Sequence, residues 1–154
     1  MTYSGLTPDF KSLLLKARKD FQKHNALYKV PMTGVQLARE LAQVMQEYTI
    51  SGIINIGGVR PFGVSLLLAS YDNDGPHLYQ IDPSGSYFGC KATAIGKNYQ
   101  NMKNFLEKRY VENLSIEDAI HISILTLKET YDTEMNEKNI SIGIASKDGT
   151  FRVY

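Results

Sequence analysis

Phe62-Gly63-Val64-Ser65-Leu66-Leu67-Leu68-Ala69-Ser70-Tyr71 runs into Asn73-Asp74-Gly75-Pro76, and His77-Leu78-Tyr79-Gln80-Ile81-Asp82 runs into Pro83-Ser84-Gly85. Two apolar runs bounded by clusters of Asn, Asp, Gly and Pro read as strands over 62–71 and 77–82. A second turn, Asp82-Pro83-Ser84-Gly85, leads into a third strand from Ser86 to Lys91. Connections this short cannot carry a parallel crossover, so the three strands form an antiparallel meander.

Helical patterns flank the meander. Thr7-Pro8-Asp9 supplies a capping hydroxyl, a proline at a helix start and an acid at the positive helix end. Phe10, Leu13, Leu14, Ala17 and Phe21 follow at helical spacing towards Tyr28, and Pro31 stops the run. Thr33 and Gln36 have capping-box spacing ahead of Leu37, Leu41, Val44, Met45 and Tyr48, which predicts a second helix paired antiparallel with the first. Ser51 to Gly58 is punctuation around the apolar patch Ile53-Ile54-Asn55-Ile56. Beyond the meander, Asn98–Tyr110 carries the stripe Met102, Phe105 and Leu106. Ser115 and Asp118 cap a helix that is apolar nearly all round, which predicts cover on both sides. Ile140, Ile142 and Ile144 then alternate, and Lys147-Asp148-Gly149 turns into Phe151–Tyr154 as a final hairpin. The order helix pair, strands, helix pair, strands is that of a single α+β layered domain across 1–154, without internal repeats.

Composition narrows the function. The 154 residues are 43% hydrophobic and 21% charged, enough for one globular core, and the formal charge of +1 argues against a whole-domain nucleic-acid binder or a polybasic membrane protein. Cys90 is the sole cysteine, which excludes an internal disulfide framework and fits a reducing compartment. No apolar run approaches the ~18 residues of a membrane span, and Met1-Thr2-Tyr3-Ser4-Gly5 lacks the pattern of a secretory signal. A cytosolic or nuclear location is expected.

The residues show no catalytic constellation. Ser65 lacks the second glycine of a nucleophile elbow and reads as a strand residue. Cys90 has no histidine near it in sequence and reads as a packed thiol. His24, His77 and His121 are far apart and match no metal-binding spacing. Gly57-Gly58-Val59-Arg60 lacks the phosphate-loop lysine and reads as a loop. Asp72, Asp74 and Asp82 sit at turns, where local hydrogen bonding favours aspartate, and are not read as metal ligands. Lys11, Lys16, Arg18, Lys19, Lys23 and Lys29 make the first helix basic. That face is either simply solvated or meets an acidic partner surface.

Four ordered stretches carry a resemblance. Gly58-Val59-Arg60-Pro61-Phe62-Gly63-Val64-Ser65-Leu66-Leu67 resembles the signature opening the second half of proteasome α-type subunits. Asp82-Pro83-Ser84-Gly85-Ser86-Tyr87-Phe88 resembles the family's turn and strand, and Lys91-Ala92-Thr93-Ala94-Ile95-Gly96-Lys97-Asn98 its strand-to-helix junction. Phe105-Leu106-Glu107-Lys108-Arg109-Tyr110, with Asp118-Ala119-Ile120-His121 and Leu125-Thr126-Leu127-Lys128-Glu129, is most similar to the type-two branch of that family. Tyr3-Ser4-Gly5 and Pro8-Asp9 match its strand end and first core helix.

The resemblance implies the N-terminal-nucleophile hydrolase fold, an αββα sandwich of two antiparallel sheets between helix layers, here missing its N-terminal strands and helix. Members of this family form rings, α rings outside β rings, around a proteolytic chamber. Catalysis there belongs to an N-terminal threonine of β subunits, with its own amine as base. An α subunit is then a non-catalytic component that shapes the ring, gates entry and docks regulators in ubiquitin-dependent degradation. Its implied partners are neighbouring α subunits, the β ring and regulatory particles. No catalytic, cofactor-binding or metal residue is implied, and no cofactor. Removal of Met1 would leave Thr2 first, the chemical requirement of a threonine peptidase, but Thr2 matches the strand before the first core helix rather than the catalytic position. Ile53-Ile54-Asn55-Ile56 interrupts the family's usual Ser-Gly to Gly-Val-Arg-Pro-Phe-Gly connection, and Phe151–Tyr154 ends short of the usual terminal segment. The alternatives are a truncated paralogue serving as an assembly or interaction module, and a peptidase using Thr2.

Overall fold

The computed structural model describes residues 1–53, 60–130 and 135–154. The elements in order are β1 (Thr2–Gly5), α1 (Thr7–Tyr28), α2 (Gly34–Ile53), β2 (Val64–Asp72), β3 (Gly75–Ile81), β4 (Tyr87–Cys90), α3 (Tyr99–Arg109), α4 (Ile116–Thr130), β5 (Gly143–Ala145) and β6 (Phe151–Val153). They divide into two compact units, residues 1–91 and residues 92–154.

In the first unit the expected meander is present, and β1 joins its edge to give an antiparallel sheet in the order β1-β2-β3-β4. Tyr3 pairs with Leu66, Leu66 with Ile81, and Ile81 with Tyr87, so one register runs across all four strands. The first turn is shorter than the sequence suggests. Gly75 and Pro76 already pair with Asp72 and Tyr71, leaving Asn73-Asp74 as a two-residue connection. Val64, Leu66 and Leu68 alternate onto the buried face of β2 and meet Leu13 of α1 and Leu41 and Met45 of α2. Each such side chain contributes about 1.5–3 kcal/mol by leaving water.

Local chemistry sets the helix ends. The Thr33–Gln36 capping box forms in both directions: Thr33 N–H donates to Gln36 Oε1 at 2.9 Å, and Gln36 N–H to Thr33 Oγ1 at 3.4 Å. The cap expected of Thr7 does not form. Leu6 holds the capping position without a side-chain bond, Pro8 follows in the first turn, and Thr7 Oγ1 instead lies 2.9 Å from the Tyr3 hydroxyl. The punctuation read at Ser51–Gly58 also needs correcting: α2 continues through Ser51 and Gly52 to Ile53, and 54–59 lie outside the described residues. Two glycines set how closely α2 approaches the sheet. At Gly34 a side chain would collide with the Ser70 hydroxyl, and Gly34 N–H reaches Asp72 Oδ2 at 3.2 Å. Gly85, at φ +84°, closes the turn before β4 and would place a Cβ 2.6 Å from Gln46 Cβ.

In the second unit, Asn98 leads into α3 and Ser115 caps α4, its hydroxyl accepting from Asp118 N–H at 3.1 Å. Met102 is buried at the centre of the expected α3 stripe, and α3 contacts α4. The final hairpin pairs Gly143 with Val153 and Ala145 with Phe151, and its turn is Ser146–Thr150. The expected cover on both sides of α4 is absent: Ile116 is 53% exposed and Leu127 39%, and of the α4 residues described only Thr126 is buried. All-round apolarity was a poor guide, because burial depends on how many elements meet the helix.

Candidate functional site

The most elaborate polar arrangement lies where α1 begins beside the segment that opens β2. Pro61 follows Arg60, and the chain then enters β2 at Val64. Arg60 projects back onto Asp9 as a fork, Nη1 donating to Oδ2 and Nη2 to Oδ1, both at 2.7 Å. Gly63 N–H adds a third bond to Asp9 Oδ2 at 2.9 Å, while Gly63 O accepts from Leu6 N–H at 2.9 Å. Asp9 is buried and Arg60 largely exposed. The Arg60 hydrogen bonds, followed by the Gly63 amide, pull the Asp9 carboxyl from the usual carboxylate range down to about 2. A carboxylate with both oxygens committed to donors is a fastener rather than a base. It ties the β1 end, the first turn of α1 and the entry to β2 into one corner.

The residues weighed for chemistry are not brought together. Thr2 lies in β1 opposite Leu67, with its side chain exposed. Ser65 is paired with Ser4 in the middle of the sheet. Cys90 ends β4, with Sγ 3.9 Å from Phe88 O. His24, His77 and His121 stand on α1, β3 and α4 respectively, and His24 Nδ1 lies 3.1 Å from Val30 O. Asp72 receives the α2 amide, and Asp82 Oδ1 receives Gln80 Nε2 at 3.0 Å. Gly57, Gly58 and Val59 lie outside the described residues. Among those described, no group of three or more His, Cys, Asp or Glu could hold a metal ion, and no helix is long and apolar enough to cross a membrane.

Two surface depressions stand out among the described residues. One, of about 470 Å³, lies between α2 and the Gly85–Tyr87 turn, where Arg39 Nε donates to the Tyr87 hydroxyl at 3.3 Å. The other, of about 380 Å³, runs between α4 and β5 and is lined by Ile116, Ile120, Ile124, Leu127, Ile142 and Ile144 among others. Of the basic residues on α1, Lys16 pairs with Asp20 at 2.9 Å. The geometry defines a scaffold with shaped surfaces.

The sequence pattern of the family described as Proteasome subunit matches residues 1–145, and this chain belongs to that family. It is 56% identical over 153 residues to proteasome subunit alpha type-2-A of Arabidopsis thaliana, 52% to the alpha type-2 subunit of Dictyostelium discoideum and 53% to that of Drosophila melanogaster. Each match takes in 99% of this chain but only 63–64% of the relative. The chain therefore spans less than two thirds of the length of those relatives. Family membership brings the expected α+β, N-terminal-nucleophile hydrolase class.

The Asp9–Arg60 fork was not legible in the sequence, where Asp9 was read only as an acid on the helix dipole. Fifty-one residues separate the partners, and no local spacing signals such a pair.

Proposed function

We propose that this chain acts as a non-catalytic α-ring subunit of the proteasome core particle, contributing to ring assembly, substrate gating and regulator docking in ubiquitin-dependent protein degradation in cytoplasm and nucleus. Its partners are the neighbouring α subunits, the underlying β ring and the regulatory particles. The observation that carries this reading is the 56% identity to an alpha type-2 subunit over nearly the whole chain. The position of Thr2 supports a structural role: it sits in a paired strand, with Leu67 opposite it on β2.

Sedimentation of the tagged chain from its native cell extract, with peptidase activity assayed across the gradient, tests the reading. The chain is expected in the large peptidase peak, with activity unchanged by Thr2→Ala. Confinement to small fractions would contradict the α-ring role, and binding to only some α subunits without complete particles would favour an assembly module. Loss of peptidase activity with Thr2→Ala would contradict the non-catalytic role.

A further inference from the structure

The chain carries two Asp-Gly pairs, each in the turn of a hairpin, and the structure holds them differently. Asp148 and Gly149 are both tied down. Asp148 Oδ1 accepts from Thr150 N–H at 3.0 Å and from the Thr150 hydroxyl at 2.6 Å, and Gly149 N–H donates to Ser146 O at 3.1 Å. The Thr150 hydroxyl, followed by its amide, keeps the Asp148 carboxyl below the ordinary carboxylate range. Asp74 and Gly75 are the opposite case. Asp74 is exposed, and its side chain makes no hydrogen bond or ion pair with a described residue. Gly75 has φ +117°, and no atom lies within 4 Å of the place where a Cβ would stand. The turn also ends a two-stranded overhang, because β1 pairs with β2 only as far as Leu67 and β4 with β3 only as far as Leu78. Gly34 N–H holds Asp72 just short of the turn. A two-stranded ribbon is marginal in water, so residues 73–75 open locally while the sheet behind them stays formed.

We infer that Asp74 and Gly75 form a site of spontaneous backbone isomerisation, at which Asp74 converts to isoaspartate and offers a free α-carboxyl to a carboxyl-methylating enzyme. The Gly75 nitrogen loses its proton and bonds to Asp74 Cγ, whose hydroxyl leaves as water, closing a cyclic succinimide. Water then adds to either ring carbonyl. Opening at Cγ restores aspartate, whereas opening at the backbone carbonyl routes the chain through Cγ and frees the α-carboxyl. The water lost is regained, so mass is unchanged and no oxidant or reductant is needed. Glycine favours the closure because it has no Cβ to obstruct the approach and adopts the backbone angles that the ring requires. The departing hydroxyl must carry a proton, which the Thr150 bonds oppose at Asp148. A methyl group from S-adenosylmethionine then passes to the freed α-carboxylate oxygen, leaving a methyl ester and S-adenosylhomocysteine. The inference goes beyond the ring-subunit reading and does not depend on it.

The test ages the full folded chain at physiological pH and temperature, labels it with isoaspartyl methyltransferase and radioactive S-adenosylmethionine, and sequences the labelled peptides. Label at position 74 is expected to grow with time, without a change in peptide mass. Position 148 is expected to lag about tenfold or more, because its hydrogen bonds must break first. In denaturing urea the two pairs are expected to label alike. Asp74→Glu, which would need a larger ring, is expected to abolish the label at 74. Thr150→Val is expected to raise the label at 148 about threefold or more, since it removes the hydroxyl that holds Asp148. Unchanged circular dichroism separates these effects from lost folding. No label at position 74 in the folded chain, equal labelling of the two pairs there, or a contrast that survives in urea overturns the inference. So does label that persists in Asp74→Glu, an unaltered label at 148 in Thr150→Val, or a raised peptide mass, the mark of Asn73 deamidation.

Discussion

Residues 1–91 close a core of their own, with Leu13, Leu41, Met45, Leu66 and Ile81 each essentially removed from water, whereas in residues 92–154 burial among the described residues is confined to Ala94, Met102 and Thr126. The two units are similarly apolar in sequence, and α4 is the more apolar-looking helix. What separates them is geometry. In the first unit two helices lie against a four-stranded sheet, so each inward side chain meets several elements. In the second, a helix pair and a two-stranded hairpin supply fewer surfaces, and an isolated hairpin is marginal in water. Apolar sequence alone is therefore a weak guide to burial.

The largest expected difference comes from truncating the same side chain in each unit. Leu66→Ala, at a fully buried position, should cost about 3–5 kcal/mol, and Leu127→Ala, 39% exposed, about 1 kcal/mol or less. Urea unfolding of each variant measures both, and equal costs would break the comparison. Turn glycines sharpen it next. Gly85→Ala forces a side chain into the left-handed region and against Gln46, costing about 3 kcal/mol. Gly149, at φ +75° with open space around it, should cost about 1 kcal/mol when replaced by Ala.

The Asp9 corner comes third. Asp9→Ala removes the acceptor of three hydrogen bonds and should cost about 2 kcal/mol, while Arg60→Ala removes a mostly exposed partner and should cost less. Because the folded carboxyl titrates near 2, below its ordinary value of 3.8, its contribution is present above about pH 4 and is lost as pH falls towards 2. Acid titration of stability should thus lose its steepness over that window in Asp9→Asn. An unchanged profile would remove Asp9 from the account. The smallest effects are local: Thr33→Ala and Ser115→Ala should each cost about 1 kcal/mol, nearly alike in the two units, because a cap acts on its own helix.

That last pair also shows which structure was legible in advance. Thr33 with Gln36 and Ser115 with Asp118 were readable because both partners lie within one turn. The meander was readable because Asn73-Asp74 and Asp82–Gly85 leave their flanking strands little choice but to pair. The misreadings share an opposite cause. Thr7 was expected to cap α1 by its residue type, yet the chain enters the helix through Leu6 while Tyr3 takes the hydroxyl. Gly52 was read as a break, yet it lies within α2, one residue from the helix end, where a glycine costs little. The β1–β2 pairing and the Asp9–Arg60 fork join residues more than fifty positions apart, and only the tertiary fold brings them together. Family motifs at Gly58–Leu67 and Lys91–Asn98 carried the functional reading that bare chemistry did not.

Hydrogen exchange on the isolated full chain, resolved by segment, tests the contrast between the units most directly. The account predicts strong protection across Val64–Ile81, set by global unfolding of the first unit, and protection weaker by orders of magnitude across Ile116–Leu127. Equal protection of both segments would show that the second unit consolidates a core as firmly as the first, and would contradict it.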